Sequence, residues 1–297
     1  MARALPSTRP HSARPDHHVI VAPLRAFAAR LVRVLAVPLV VAACGDDGSG
    51  FTLGKKSRSS AGAVEPELRG RVVIAPPKVA YTAGQPGSGS VSGTVTPSVP
   101  LVAAAPVTTG GDSVVCGKTI PDSSVQQKGS GLGNVVVWLD GIRAGKPLPL
   151  EKRLELESDK CLLTPRVQAA VVGSAVNVLG HDPFRQHLLF LAAGDTAPRT
   201  AVLLGKDEQV IPTELPASAP GLVIVRDTDH PWPRAYLAVF DHPYYAVTKA
   251  DGSFTIDGVP PGRYTLVAWH ERTGRIEQAV DVAAGGTTRV SVTLSGK

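Results

Sequence analysis

"DGSFTIDGVPPGRYTLVAWH", Asp251 to His270, decides the fold. In "SFTI" apolar and polar residues alternate with period two, as in a strand with one buried face. "DGVPPG" is a rigid turn, because proline fixes φ and Gly262 tolerates backbone angles that other residues resist. "RYTLVAWH" then resumes an extended run. Phe254, Ile256, Val259, Tyr264, Leu266 and Trp269 are the expected buried positions. Outward from this hairpin the pattern continues. "YLAVF" and "HPYYAVT" lead into a "KADG" turn, and "RTGRIEQAVDVAAGGTTRVSVTL" follows with turns at "RTG" and "AGG". The spacing predicts a hairpin-rich β-sandwich over about 240–295, with Gly89 to Val95 a distant segment able to pair with it.

The preceding chain is built from similar short pieces. "GSVSGTVTP", "NVVVWLDG", "VQAAVVGSAVNVLG", "QHLLFLA", "AVLLG" and "GLVIVRD" are brief apolar or β-branched runs separated by turn residues. None repeats at helical spacing with capping signals. Thirty glycines and 26 prolines against one methionine suit many strands joined by sharp turns, and 43 % apolar content supplies real cores. The expected fold class is all-β, with two β-sandwich domains.

The N-terminus has a different character. Residues 1–43 hold six arginines and one acid, Asp16, and end in an apolar run from Val34 to Ala43. A basic stretch followed by ten apolar residues reads as an export signal, too short to cross a bilayer as an ordinary helix. "VAAC", 41–44, resembles the lipobox of bacterial lipoproteins, which implies cleavage before Cys44, lipid on that cysteine, and a place at the membrane of the bacterial envelope. A chain cut there keeps 25 basic and 24 acidic side chains, so the net charge of +6 falls to +1. The basic balance belongs to the exported address and does not argue for nucleic acid. Residues 44–87, rich in Gly, Ser, Pro and charge, read as a flexible tether. Cys116 and Cys161 remain as an even pair in an oxidising compartment; a disulfide, worth about 4 kcal/mol on the chain-entropy account, and two separate buried thiols are the alternatives.

Two likenesses rest on these residues. Asp251 to His270 resembles the carboxypeptidase regulatory-like modules, transthyretin-like β-sandwiches that are non-catalytic in many secreted proteins. The longer stretch from about Ser90 to Leu294 resembles a periplasmic two-part family, sometimes labelled methylamine-utilisation-like, in which a cupredoxin or plastocyanin-like domain precedes that module. "VVCGKTI", "LGNVVVWLDG", "KCLLTPRV" and "HPWPRAYLAVFDHPYYAVT" fall in the family's order. The resemblance implies a cupredoxin-like sandwich over 88–239 and a carboxypeptidase regulatory-like sandwich over 240–297, behind an export signal at 1–43 and the tether at 44–87.

The resemblance also raises copper. A type 1 centre needs two imidazoles, a thiolate and a weak axial ligand. His230, Pro231 and Trp232 match the family's ligand loop, but Asp227 stands at its cysteine and Pro233 at its methionine. The earlier histidine falls approximately at His187, and Arg166 stands where the family often has histidine. Blue copper is therefore not expected. His187, His230 and Asp227 form an alternative set for Cu(II), Zn(II) or Fe(II), with His181 a possible fourth member. The competing reading is structural: His230 packs with Trp232 while Asp227 caps the loop. His242 and His270 read as structural polar residues, Trp138 and Trp269 as core, and Trp232 as the surface ring able to touch a partner.

Nothing else marks an active site. The chain lacks G-x-S-x-G, a Gly-rich phosphate loop, C-x-x-C and H-E-x-x-H. The expectation is a non-catalytic, lipid-anchored envelope protein that needs no cofactor and meets an envelope protein or a glycan.

Overall fold

Residues 80–295 are described by the computed structural model, and strands dominate them. The export segment, Cys44 and the tether up to residue 79 lie outside the described residues. No helix among those described is long and apolar enough to cross a membrane.

The C-terminal sandwich sets a three-stranded sheet against a four-stranded one. The first has Gly89–Pro97 at its centre, antiparallel to Ser253–Val259 and parallel to Thr287–Leu294. The second runs Tyr245–Val247, Val136–Asp140, Gly262–His270, Gly274–Val282. Their shared core holds Val91, Val95, Leu139, Ile256, Leu266 and Leu294, the inward positions that period-two alternation places on one face. The "KADG" turn closes with Gly252 N–H donating to the Lys249 carbonyl at 2.8 Å, and Gly252 takes φ 77°, which favours glycine.

The other sandwich faces a four-stranded sheet, ordered Leu162–Thr164, Arg153–Asp159, Ala175–Gly180, Gln209–Val210, against a five-stranded sheet. The latter runs Val167–Val171, Arg234–Phe240, Gly221–Asp227, Gln186–Ala192, Pro198–Leu204. Leu156, Val178, Leu188, Phe190, Val225 and Leu237 fill the space between them.

A third core joins the two sandwiches. Val136, Trp138, Val267 and Trp269, on the outer face of the C-terminal four-stranded sheet, pack against Val167, Leu222, Tyr236, Ala238 and Phe240 on the outer face of the five-stranded sheet. This explains why "VVVWL" and "YLAVF" are continuously apolar rather than alternating: both faces of these strands are buried. Trp138 and Trp269, 4 % and 2 % exposed, are core as expected, but the core they occupy is the one between the sandwiches.

Two expected boundaries move. Ordered structure starts before residue 88: Thr82–Ala83 pairs in parallel with Ala144–Gly145, and the Tyr81 hydroxyl donates to the Lys146 carbonyl at 2.5 Å while its ring meets Tyr244. An aromatic ring with a packing partner fixes a segment whose composition alone suggests a tether. The division at 239/240 also fails to separate the sandwiches, because Gly89–Pro97 and Val136–Asp140 belong to the C-terminal one.

Candidate functional site

The Gly221–Asp227 strand ends by delivering Asp227 into the loop that leads to Trp232. The Asp227 carboxylate is fully buried and is met by three donors. The backbone N–H groups of His187 and Asp229 each reach Oδ1 at 3.1 Å, and His230 Nδ1 lies 2.7 Å from Oδ2. A carboxylate accepts, so Nδ1 donates to Asp227, and Nε2 lies 3.5 Å from Asp112 Oδ2. Phe184 and Trp232 flank the ring, with centroids at 4.8 and 5.3 Å. Asp227 and His230 thus close the loop on themselves.

The expected His187, His230 and Asp227 metal set is not assembled. His187 contributes its backbone N–H while its residue stays exposed, on a strand whose neighbours Gln186 and Leu188 are buried. His181 is exposed as well. Among the described residues no group of three or more His, Cys, Asp or Glu is placed to hold a metal ion. Type 1 copper does not fit either. Cys116 and Cys161 are joined in a disulfide, and the sulfur positions of the loop are Asp227 and Pro233.

That disulfide fastens an arm to the loop. Gly110–Asp112 and Ser113–Cys116 form two short helical turns, and Cys161 lies in the tight turn between Arg153–Asp159 and Leu162–Thr164. Lys160 and Cys161 both take left-handed φ, 49° and 65°. Asp182, 3 % exposed, supports this turn by accepting the Ser158 hydroxyl at 3.1 Å and the Cys161 N–H at 3.2 Å. Phe184 and Trp232 pack onto the small cluster formed by the disulfide and Ile120. Asp112 therefore reaches His230 from the arm, a contact 118 residues apart in sequence that no local pattern announces.

Beside Trp232 the two sandwiches are tied by charge. Arg166 grips Glu271 with two parallel bonds, Nε–Oε1 at 2.5 Å and Nη2–Oε2 at 2.7 Å, and donates to the Ser123 hydroxyl at 2.9 Å. Burial works against the guanidinium charge, but Glu271 overcomes this and raises its pKa. Arg272 reaches the segment before residue 127, at 2.9 Å to both Asp122 and Ser124. His270 is fully buried; its Nδ1 accepts the Arg272 N–H at 3.2 Å, and burial lowers its pKa. His242, also buried, accepts the Tyr244 N–H at 3.2 Å, and burial pushes it down to about 4. Both histidines are buried and accept a backbone N–H.

These elements border a pocket of about 180 Å³ lined by Pro231, Trp232, Arg166, Arg234, Asp122 and Ile120. The Trp232 indole N–H is out of solvent reach and donates to no group among the described residues. Trp232 is accordingly half-buried rather than an open surface ring. Ala104, Ala105 and Val107, exposed and apolar, also line the pocket.

This architecture defines an all-β protein with a C-terminal β-sandwich module. That module is a carboxypeptidase regulatory-like domain: residues 221–295 match the family, a span that includes two strands of the five-stranded sheet. No curated protein is detectably similar to the chain. Solved structures with partial likeness include the copper-containing nitrite reductase NirK from Thermus scotoductus SA-01, at 21 % identity, TM-score 0.26, covering 35 % of this chain and 24 % of that one. A reduced amicyanin variant matches at 17 % identity, TM-score 0.26, over 31 % of this chain and 86 % of its own. The chain spans about a quarter of the nitrite reductase's length.

Proposed function

We propose that the protein is a non-catalytic, lipid-anchored envelope module. In this reading the N-terminal sandwich is cupredoxin-like and has exchanged metal binding for a structural clasp, and the pocket at Trp232 receives a segment of an envelope protein. One observation carries the proposal: the loop that resembles a copper loop is closed by its own carboxylate, Asp227 on His230, beside a pocket walled by Trp232. The exposed apolar residues Ala104, Ala105 and Val107 beside Trp232 suit a partner that brings an apolar side chain. Several acyl chains on Cys44 would hold the module at a membrane more firmly than a single chain can.

Two measurements test this reading. Labelled palmitate supplied to cells should enter the wild-type protein and not Cys44→Ala. A photo-crosslinking residue in place of Trp232 should give one discrete adduct in intact cells, absent when the probe replaces exposed Leu203. Equal labelling of Cys44→Ala, or no adduct specific to position 232, contradicts the proposal.

A further inference from the structure

The outer face of the three-stranded sheet bears a separate feature that does not depend on the proposed function. Register sets Thr255, Ser92 and Arg289 in one cross-strand row and Ser253, Thr94 and Ser291 in the next. Intervening residues such as Val91, Val95 and Ile256 turn into the core. Gly93 lies at the centre, where a Cβ would collide with the Val290 carbonyl, so only glycine lets these strands draw together. Above them is a shallow, solvent-open hollow of about 460 Å³.

Its composition differs from that of the neighbouring strand. The neighbouring Gly274–Val282 strand carries charged pairs, Arg275 with Glu277 at 2.7 Å and Asp281 with Arg263 at 2.9 Å. The hollow is instead lined by Ser92, Thr94, Thr255 and Ser291 together with Arg289. Among the described residues none of these five side chains has a protein partner. Phe254 is 6 % exposed and packs in the core, so the hollow offers no aromatic platform to the apolar face of a neutral sugar.

We propose that this hollow binds an acidic sugar residue, a polyhydroxylated ring bearing a carboxylate. Hydroxyls both donate and accept, as a sugar's ring hydroxyls require, and the planar fork of Arg289 matches a carboxylate with two parallel N–H bonds. The acidic sugar can come from a polysaccharide or as a free sugar acid; the chemistry recognised is the same.

The test titrates the full chain in detergent, at fixed ionic strength, with trigalacturonate, galacturonate and neutral cellotriose, followed by calorimetry. Saturable binding of at least one uronate is expected, with Kd below about 1 mM, and cellotriose at least about tenfold weaker. A stronger trimer than monomer identifies the polymer as the source, and equal affinities the free acid. Arg289→Ala should lose at least about tenfold, and Arg289→Lys most of that, because an ammonium keeps the charge without the fork. The double variant Ser92→Ala/Thr255→Val should also weaken binding while melting at the wild-type temperature. Absence of saturation up to about 10 mM, equal affinity for cellotriose, or wild-type affinity in Arg289→Ala or Arg289→Lys overturns the proposal.

Discussion

Asp227 holds the His230 ring through Nδ1 at 2.7 Å, and the same carboxylate takes the backbone N–H groups of His187 and Asp229. Removing it leaves three part-buried donors without their acceptor. Asp227→Ala is expected to cost about 1–3 kcal/mol, the scale of a lost charged hydrogen-bond acceptor. Asp227→Asn keeps an acceptor and should cost less. Urea unfolding of both variants checks this; a negligible loss in Asp227→Ala would mean the carboxylate does not organise the loop.

Arg166 and Glu271 should behave as a coupled pair. Their side chains are 14 % and 6 % exposed, so breaking the pair strands a buried charge at about 3–5 kcal/mol. Arg166→Met combined with Glu271→Leu is expected to recover much of either single loss. A double-mutant cycle in urea measures the coupling, and additive single losses would contradict it.

The C-terminal module should not fold from residues 240–297 alone. Without Gly89–Pro97 its three-stranded sheet loses the central strand, and without Val136–Asp140 the facing sheet loses one as well. Such a fragment should show collapsed amide dispersion in proton–nitrogen spectra, whereas residues 80–297 should be dispersed. A well-dispersed spectrum from 240–297 contradicts the topology.

Acid should weaken the fold through His242. Its folded pKa of about 4 lies below the unfolded value of about 6.5, so the unfolded chain binds more protons between those pH values. The contribution is fully present above about pH 6.5 and is lost as pH falls toward 4, with an upper bound of about 3 kcal/mol. His270, lowered in the same direction by burial, adds to the trend. Thermal melts of wild type and His242→Gln across pH 4–7 test this: the variant should show a flatter dependence, and identical slopes would refute the assignment.

Much of the strand pattern was legible because alternation reports a buried face directly. Phe254, Ile256, Val259 and Leu266 all lie in the C-terminal core, and the proposed pairing of Gly89 to Val95 is present as the central strand. What periodicity does not encode is the second buried face. "VVVWL" and "YLAVF" are apolar throughout, and only packing of sheet on sheet reveals why. At the site, the resemblance to a copper loop singles out His230 and Asp227, but not their relation to each other. A ligand set and a hydrogen-bonded clasp use the same residue types, and the choice depends on where the His187 ring points. Asp112, Asp182 and the Arg166–Glu271 pair gave no local signal, since each meets a partner distant in sequence.

Metal titration tests the central claim most directly: that this loop is a closed clasp and not a metal centre. The full chain in detergent would be titrated with Cu(II) and Zn(II), and anaerobically with Cu(I), with bound metal measured after dialysis. The expected result is no stoichiometric binding tighter than about 1 μM for any of the three. One equivalent bound below that threshold, and lost in His230→Ala, would contradict the account.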